Sequence, residues 1–265
     1  MSSTLKRLLF SAAAVGAIFL ASSAQAETIK AGVTPGPHAE IMEVVAEIAQ
    51  EEYGLTIEVI EFSDYVIPNT ALADGEIHLN SFQHEPYLEN QKQDRGFDIV
   101  SVAPTLVFPM GFYSNRYDSF DEVPDGATVA IQNDPTNGGR ALLLLQSAGL
   151  LKVDEAAGLT PTILDVVENP RNFRIVELEA AQLPRSLDDV DVAAINTNYA
   201  VDAGMKPAED AILREGTDSP YMNIIAVRGE DVEAEWLKQV IASYHTDRVR
   251  DFVEERFEGA AIPGF

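Results

Sequence analysis

Thr28-Ile29-Lys30-Ala31-Gly32-Val33 is the stretch that decides the fold. It reads as a short strand, and Pro35-Gly36-Pro37 turns the chain straight after it. Ile41, Val44, Val45 and Ile48 then recur at helical spacing, and Leu55, Ile57 and Val59 alternate with polar residues as a second strand. The same alternation continues. A short helix over 68–73 is closed by Gly75, a brief strand covers 77–80, and a helix follows Pro86. Strands are expected over 97–102, 106–113, 128–131, 173–178, 190–195 and 223–227. A turn at Gly138-Gly139 leads into a buried helix over 141–150, 180–187 is a short helix, and amphipathic helices over 232–244 and 248–257 close the chain. Strands alternating with helices predict mainly parallel sheets flanked by helices, an α/β fold. Ligands in such sheets sit beyond the carboxyl ends of strands, where Asn80, Asn133, Asn196 and Asn198 fall. A new unit begins at Asp121-Glu122-Val123-Pro124-Asp125-Gly126, so any change of lobe is placed near Gly111, with crossings at 108–112 and 220–225.

Composition narrows the function. The first 26 residues have the form of a secretory signal: Lys6 and Arg7, an apolar run from Leu8 to Ala21, then Ala24-Gln25-Ala26 as a cleavage site. That run is shorter than the ~20 residues of a membrane span, which disfavours the competing reading as an uncleaved anchor. The chain has no cysteine, which excludes disulfides, thiolate metal sites, a cysteine nucleophile and a thiol-linked lipid. Export without a lipid anchor points to a freely soluble periplasmic protein. A net charge of −25 disfavours nucleic acid and anionic membrane surfaces as partners. No Asp-x-Asp-x-Asp-Gly calcium loop appears, and the acidity reads as solvation, in keeping with salty surroundings.

Three clusters carry candidate chemistry. Asn80-Ser81-Phe82-Gln83-His84-Glu85-Pro86-Tyr87 sets aromatic rings, an imidazole and amides around a proline, groups suited to a guest that is apolar at one end and polar at the other. Taken alone, Phe82 reads better as core packing, and His84 better as a helix cap or a satisfied core group, than as ligand contacts. Asp134-Pro135-Thr136-Asn137-Gly138-Gly139-Arg140 reads as an anion-binding helix start, in which glycines admit a ligand and Arg140 matches a carboxylate. The alternative is a helix cap with Arg140 paired to a surface acid. Asn196, Asn198 and Asn223 offer donors and acceptors to both ends of an amino acid, or turn chemistry, the latter strongest for Asn196. Enzyme and metal signatures are poor. The four histidines, His38, His78, His84 and His245, have no i, i+4 pair, and Gly-x-Ser-x-Gly and Walker patterns are absent. No metal, no cofactor and no catalytic residue is expected.

Taken together, several motifs carry a family resemblance. They are Phe62-Ser63-Asp64-Tyr65 with Pro68-Asn69 and Ala71-Leu72; Phe82-Gln83-His84 with Pro86-Tyr87-Leu88; and Asn133-Asp134-Pro135-Thr136-Asn137 with Arg140-Ala141-Leu142-Leu143-Leu144-Leu145-Gln146. Leu183-Pro184-Arg185-Ser186-Leu187-Asp188-Asp189 and Ala194-Ile195-Asn196-Thr197-Asn198-Tyr199-Ala200 complete the set. In this order they resemble the methionine-binding component of bacterial methionine ABC importers, over essentially the whole mature chain. The resemblance implies a bilobed periplasmic-binding-protein fold of two three-layer α/β lobes with a ligand cleft between them. Residues 27–110 plus 225–265 would form lobe 1 and 111–224 lobe 2. It implies that Tyr65, Phe82, His84 and Tyr87 line a side-chain pocket, that Arg140 holds a carboxylate, and that Asn198, in preference to Asn196, and Asn223 bind the amino-acid backbone groups. The implied protein is a monomeric, non-enzymatic receptor that carries methionine, the L form with the D form left open, to an inner-membrane permease. Many members of the family carry a lipidated cysteine that this chain lacks. Another amino acid, a methionine-containing dipeptide or a sulfur-containing anion is the alternative ligand, and a secreted enzyme on the same lobes is the rival class.

Overall fold

The computed structural model describes residues 28–265; the signal-peptide reading of residues 1–26 lies outside them. The opening unit forms as its spacing predicts. β1 (Thr28–Val33) turns Ile29, Ala31 and Val33 to one buried face. α1 (Pro37–Tyr53) has Pro37 in its first turn, where a missing N–H is no loss, and ends on Gly54 in the left-handed region. Its Ile41, Met42, Val45, Ile48 and Ala49 pack on that face of β1. β2 (Thr56–Glu61) then runs parallel to β1, with Ile57 opposite Ile29.

α2 (Ile67–Ala73), β3 (Leu79–Asn80), α3 (Glu85–Arg95) and β4 (Ile99–Val107) follow. Where the sequence suggests strands over 97–102 and 106–113, there is one nine-residue strand, β4, and a separate three-residue strand, β5 (Gly111–Tyr113), in another sheet. Pro104 does not end β4, because it lies opposite Ile224 where the pairing register shifts, an irregularity that tolerates a residue without an N–H. Next come β6 (Thr128–Gln132), α4 (Pro135–Ser147), the short pair β7 (Lys152–Val153) and β8 (Val166–Glu168), β9 (Arg174–Leu178), α5 (Leu183–Ser186), β10 (Val192–Ile195), α6 (Thr197–Asp202), α7 (Pro207–Asp210) and β11 (Leu213–Arg214). β12 (Met222–Arg228), α8 (Glu235–Tyr244), α9 (Asp247–Phe257) and β13 (Ile262–Pro263) complete the chain.

The strands make two main sheets, ordered β13-β4-β12-β3-β1-β2 and β11-β5-β10-β6-β9. Both are mixed, which corrects the expectation of mainly parallel sheets. β1 pairs parallel with β2 and β3, but β12 returns antiparallel between β3 and β4. In the second sheet β6 pairs parallel with β9 and β10, while β5 is antiparallel to β10 and β11. The periodicity that reveals a strand is blind to its direction, which is set by where the chain re-enters the sheet. Each sheet is covered on both faces. α1, α8 and α9 pack on one face of the first, and Leu72 of α2 and Leu88 of α3 on the other. In the second, Leu142 and Leu145 of α4 cover one face, and Leu183 of α5 with Tyr199 of α6 the other. The result is a bilobed α/β fold. Among the described residues no helix is long and apolar enough to cross a membrane.

The second correction concerns α4. It starts at Pro135, not after the glycines, and Asp134 caps it by accepting the Asn137 N–H at 2.8 Å. The Gly138 N–H is already bonded to the Asp134 carbonyl, so it is not a free anion donor. Both glycines instead permit close packing. A methyl group at Gly138 would lie 2.6 Å from the Gln132 carbonyl oxygen, and one at Gly139 2.9 Å from that of Leu159. The Gly138→Ala variant is therefore expected to lose ~1–3 kcal/mol of stability, seen as a lower urea midpoint at unchanged slope; an unchanged midpoint would contradict this packing account.

Candidate functional site

Between the lobes the residues His38, Tyr65, Phe82, Gln83, His84, Tyr87, Phe108, Asn137, Arg140, Asn196, Thr197, Asn198 and Asn223 line one cavity. All seven residues selected from the sequence, Tyr65, Phe82, His84, Tyr87, Arg140, Asn198 and Asn223, line this one cavity. Asn196 lines it too, whereas Asn133 faces an outer cleft and Asn80 lies buried beneath.

The ring wall belongs to the first lobe. Tyr65 lies in the turn after β2; Phe82, His84 and Tyr87 come from the end of β3 and the start of α3. Tyr65, Phe82 and Tyr87 stand 5.9 to 6.2 Å apart between ring centres, within the range of tilted and edge-on aromatic contact. His84 is both a helix cap and a cavity residue: its Nδ1 accepts the Tyr87 N–H at 3.1 Å. That fixes the proton on Nε2, which donates to Asn137 Oδ1 at 3.2 Å. Beneath this turn three buried amides close on one another. Asn69 and Gln83 exchange two hydrogen bonds of 2.8 and 2.7 Å, and Asn80 bonds to both at 2.9 Å. The Gln83 carbonyl accepts the Ile224 N–H, and an antiparallel bridge pairs His84 with Asn223, so the turn is tied to β12.

The polar end is built by the second lobe and the crossings. Arg140 on α4 is 2% exposed, and its partner is Glu215, itself largely covered, rather than a surface acid. Its Nε and Nη2 donate to Glu215 at 2.8 and 2.5 Å, Nη2 also reaches the Phe108 carbonyl at 2.8 Å, and the guanidinium lies 4.3 Å over the Tyr221 ring. Three of its five N–H donors are used in this way, and the two on Nη1 remain. Asn198 on α6 accepts the Tyr65 hydroxyl at 2.6 Å, across the cleft. Asn223 accepts from His38 Nε2 at 3.2 Å. Asn196 is spent at both ends, on Asn137 and Gln132, each within 2.9 Å, which favours the turn-and-support reading for it.

Sequence reading passed over His38, Phe108, Asn137, Thr197 and Glu215. His38 follows the Pro35-Gly36-Pro37 turn at the end of β1, a place where a ligand-site residue is expected. Glu215 had no local signal among so many acids, because only the packing of α4 against the crossing segments brings it to Arg140. Among the described residues no group of histidines and carboxylates is placed to hold a metal ion.

Burial lowers both cavity histidines, His38 to about 4 and His84 to about 3, with Arg140 adding to the effect on His84. Both are therefore neutral in the folded chain well below the pH at which the unfolded chain protonates them. Their contribution is constant above about pH 6.5 and destabilises the fold as pH falls toward 4, with a limiting slope near 1.4 kcal/mol per pH unit for each. A His38→Gln variant should show a shallower loss of stability than wild type across that window in urea titrations; parallel curves would show that His38 is not held neutral.

The sequence and the fold each have relatives. The family model described as NlpA lipoprotein matches residues 29–265. The D-methionine-binding lipoprotein MetQ of Salmonella typhimurium is 48% identical over 259 residues, 96% of each chain, and that of Escherichia coli K12 is 47% identical over the same span. A nutrient binding protein from Burkholderia cenocepacia, solved bound to methionine, superposes with a TM-score of 0.88 at 47% identity, covering 89% of this chain and all of that one. The crystal structure of the methionine binding protein MetQ gives 0.88 at 48% identity, with 90% and 98% coverage. On the match along 29–265 and these near-full-length identities, the chain belongs to the NlpA lipoprotein family.

Proposed function

We propose that this protein is a non-enzymatic receptor that encloses methionine between its lobes and delivers it to an ABC import permease in the inner membrane. One observation carries the reading: the ring wall of the first lobe and Arg140 of the second line the same cavity. Tyr65, Phe82, His84 and Tyr87 take the thioether side chain, where each sulfur–ring contact adds ~0.3–1.5 kcal/mol. Arg140, Asn198 and Asn223 take the carboxylate and the other backbone groups. The relatives named for methionine binding, and the methionine-bound Burkholderia structure, support the same ligand.

Charge separates the candidate ligands. Glu215 already balances Arg140, and both cavity histidines are neutral. A zwitterion adds no net charge to this buried site, whereas a bare sulfur-containing anion would leave an uncompensated one, at a desolvation cost of several kcal/mol. Ligand contacts from both sides then stabilise the closed arrangement of the lobes, which divide near 108–112 and again ahead of β12. On this reading the protein acts as a monomer in the periplasm, the location that a secretory signal over residues 1–26 implies.

Calorimetry on protein unfolded and refolded free of co-purified ligand tests the assignment. L- and D-methionine should bind, with methionine sulfoxide weaker because its polar oxygen enters the ring wall. No heat with either methionine overturns the reading. The Arg140→Met/Glu215→Gln pair removes both charges without stranding either, and should weaken methionine at least about tenfold, the loss of one charge-assisted hydrogen bond worth ~1.5–3 kcal/mol.

A further inference from the structure

A chain of hydrogen bonds joins the two cavity amides through His38, which itself lines the cavity, and the buried Thr34 beside it. The Tyr65 hydroxyl donates to Asn198 Oδ1 at 2.6 Å. Asn198 Nδ2 reaches Thr34 Oγ1 at 3.4 Å, and Thr34 Oγ1 lies 2.8 Å from His38 Nδ1. His38 Nε2 lies 3.2 Å from Asn223 Oδ1. An amide oxygen only accepts, so Nε2 carries the imidazole proton, Nδ1 must accept, and the Thr34 hydroxyl points its hydrogen at His38. Every link thus has one allowed direction. Asn198 belongs to the second lobe, and the other four residues lie with the first sheet.

The direction matters because an asparagine amide is nearly symmetric in shape but opposite in chemistry at its two ends. Oδ1 of Asn223 accepts from His38 and Oδ1 of Asn198 accepts from Tyr65, which fixes each amide's orientation and leaves each Nδ2 with N–H groups to offer. Their remaining protein contacts are long: 3.5 Å from Asn223 Nδ2 to the Tyr221 carbonyl and 3.4 Å from Asn198 Nδ2 to Thr34. With the imidazole proton on the other nitrogen, or with His38 lost, the Asn223 amide could turn and present an acceptor, which would repel a carboxylate. The backbone is shaped for this approach too. Gly36, two residues before His38, has φ 76°, and a methyl group there would lie 3.2 Å from the Asn198 carbonyl.

We propose that Thr34 and His38 are positioning residues, which orient the Asn198 and Asn223 amides so that both present N–H donors to the carboxylate of the guest. This rests on the reading of the cavity as an amino-acid site. Two measurements decide it. The first needs no ligand: nitrogen NMR of the His38 imidazole. Wild type should show a single tautomer with the proton on Nε2, and Thr34→Val, which removes the hydroxyl hydrogen from Nδ1, should shift it toward a mixture. An imidazole unchanged by Thr34→Val, or protonated on Nδ1 in wild type, overturns the chain. The second is a calorimetric cycle with methionine. His38→Phe, which keeps a ring against Phe108, should weaken binding about tenfold or more in wild type, yet have little further effect in an Asn223→Ala background. His38→Gln, which restores a donor near Nε2, should recover most of the loss. Equal losses in both backgrounds, or no rescue, would mean that His38 serves packing alone and would overturn the proposal. Absence of methionine binding by wild type sinks the functional reading by itself, and the imidazole spectra still decide the chain.

Discussion

The buried pair between Arg140 and Glu215 is the contact on which the arrangement of the lobes depends. A guanidinium this deep must have its charge matched and its donors satisfied, or the loss of water would outweigh the packing. The residues that satisfy it come from both passages between the sheets. Phe108 supplies a carbonyl from the passage after β4, and Glu215 lies in the passage before β12, where it also accepts the Met110 N–H at 2.9 Å. One side chain on α4 therefore fastens both crossings, and with them the angle at which the lobes face each other. The same pairing leaves two donors on Nη1 and a local charge near zero, which is why the site suits a guest carrying both signs.

Across the cleft the hydrogen bonds range from 2.6 to 3.4 Å. Tyr65 meets Asn198 and His84 meets Asn137, while the Tyr199 hydroxyl donates to the Ser63 carbonyl at 3.2 Å. Each joins a side chain of one lobe to a group of the other. Such contacts exist only when the lobes are apposed, so any ligand that strengthens them shifts the population toward closure. The rings behind them have little freedom. Tyr65 packs against Phe82, Tyr87 and Tyr199, with ring centres 5.0 to 6.1 Å away.

Amide side chains give the cavity its definition. Asn69, Asn80 and Gln83 hold the turn that carries Phe82 and His84, and Gln132, Asn196 and Asn137 form a second linked set under the polar end. A buried amide is costly unless its ends are paired; every end is paired in the first set, and in the second only the Gln132 Oε1 lacks a partner, so each set admits few arrangements. Asn196 illustrates the point. Its position after β10 is that of a ligand residue, but both ends of its amide are occupied by neighbours, and Asn198 two residues further on meets the other lobe.

The sequence by itself determined the longer strands and helices, because burial on one face imposes a period of two or 3.6 that survives in any register, whereas short elements such as α6 and β11 span too few residues to show one. It also yielded the ring and guanidinium residues of the cavity, through the local clusters Phe82 to Tyr87 and Asp134 to Arg140, and the family through motifs spread over the chain. Tertiary structure alone decided the direction of β12 and β4, the start of α4 ahead of its glycines, and the packing purpose of Gly138. It alone brought Glu215 to Arg140, 75 positions away in the chain, and His38 to Asn223, 185 positions away. Local patterns record what a residue must avoid, which is water or its neighbours' backbone. A partner so distant leaves no trace in spacing, because the path that brings it there is set by how the two sheets close on each other.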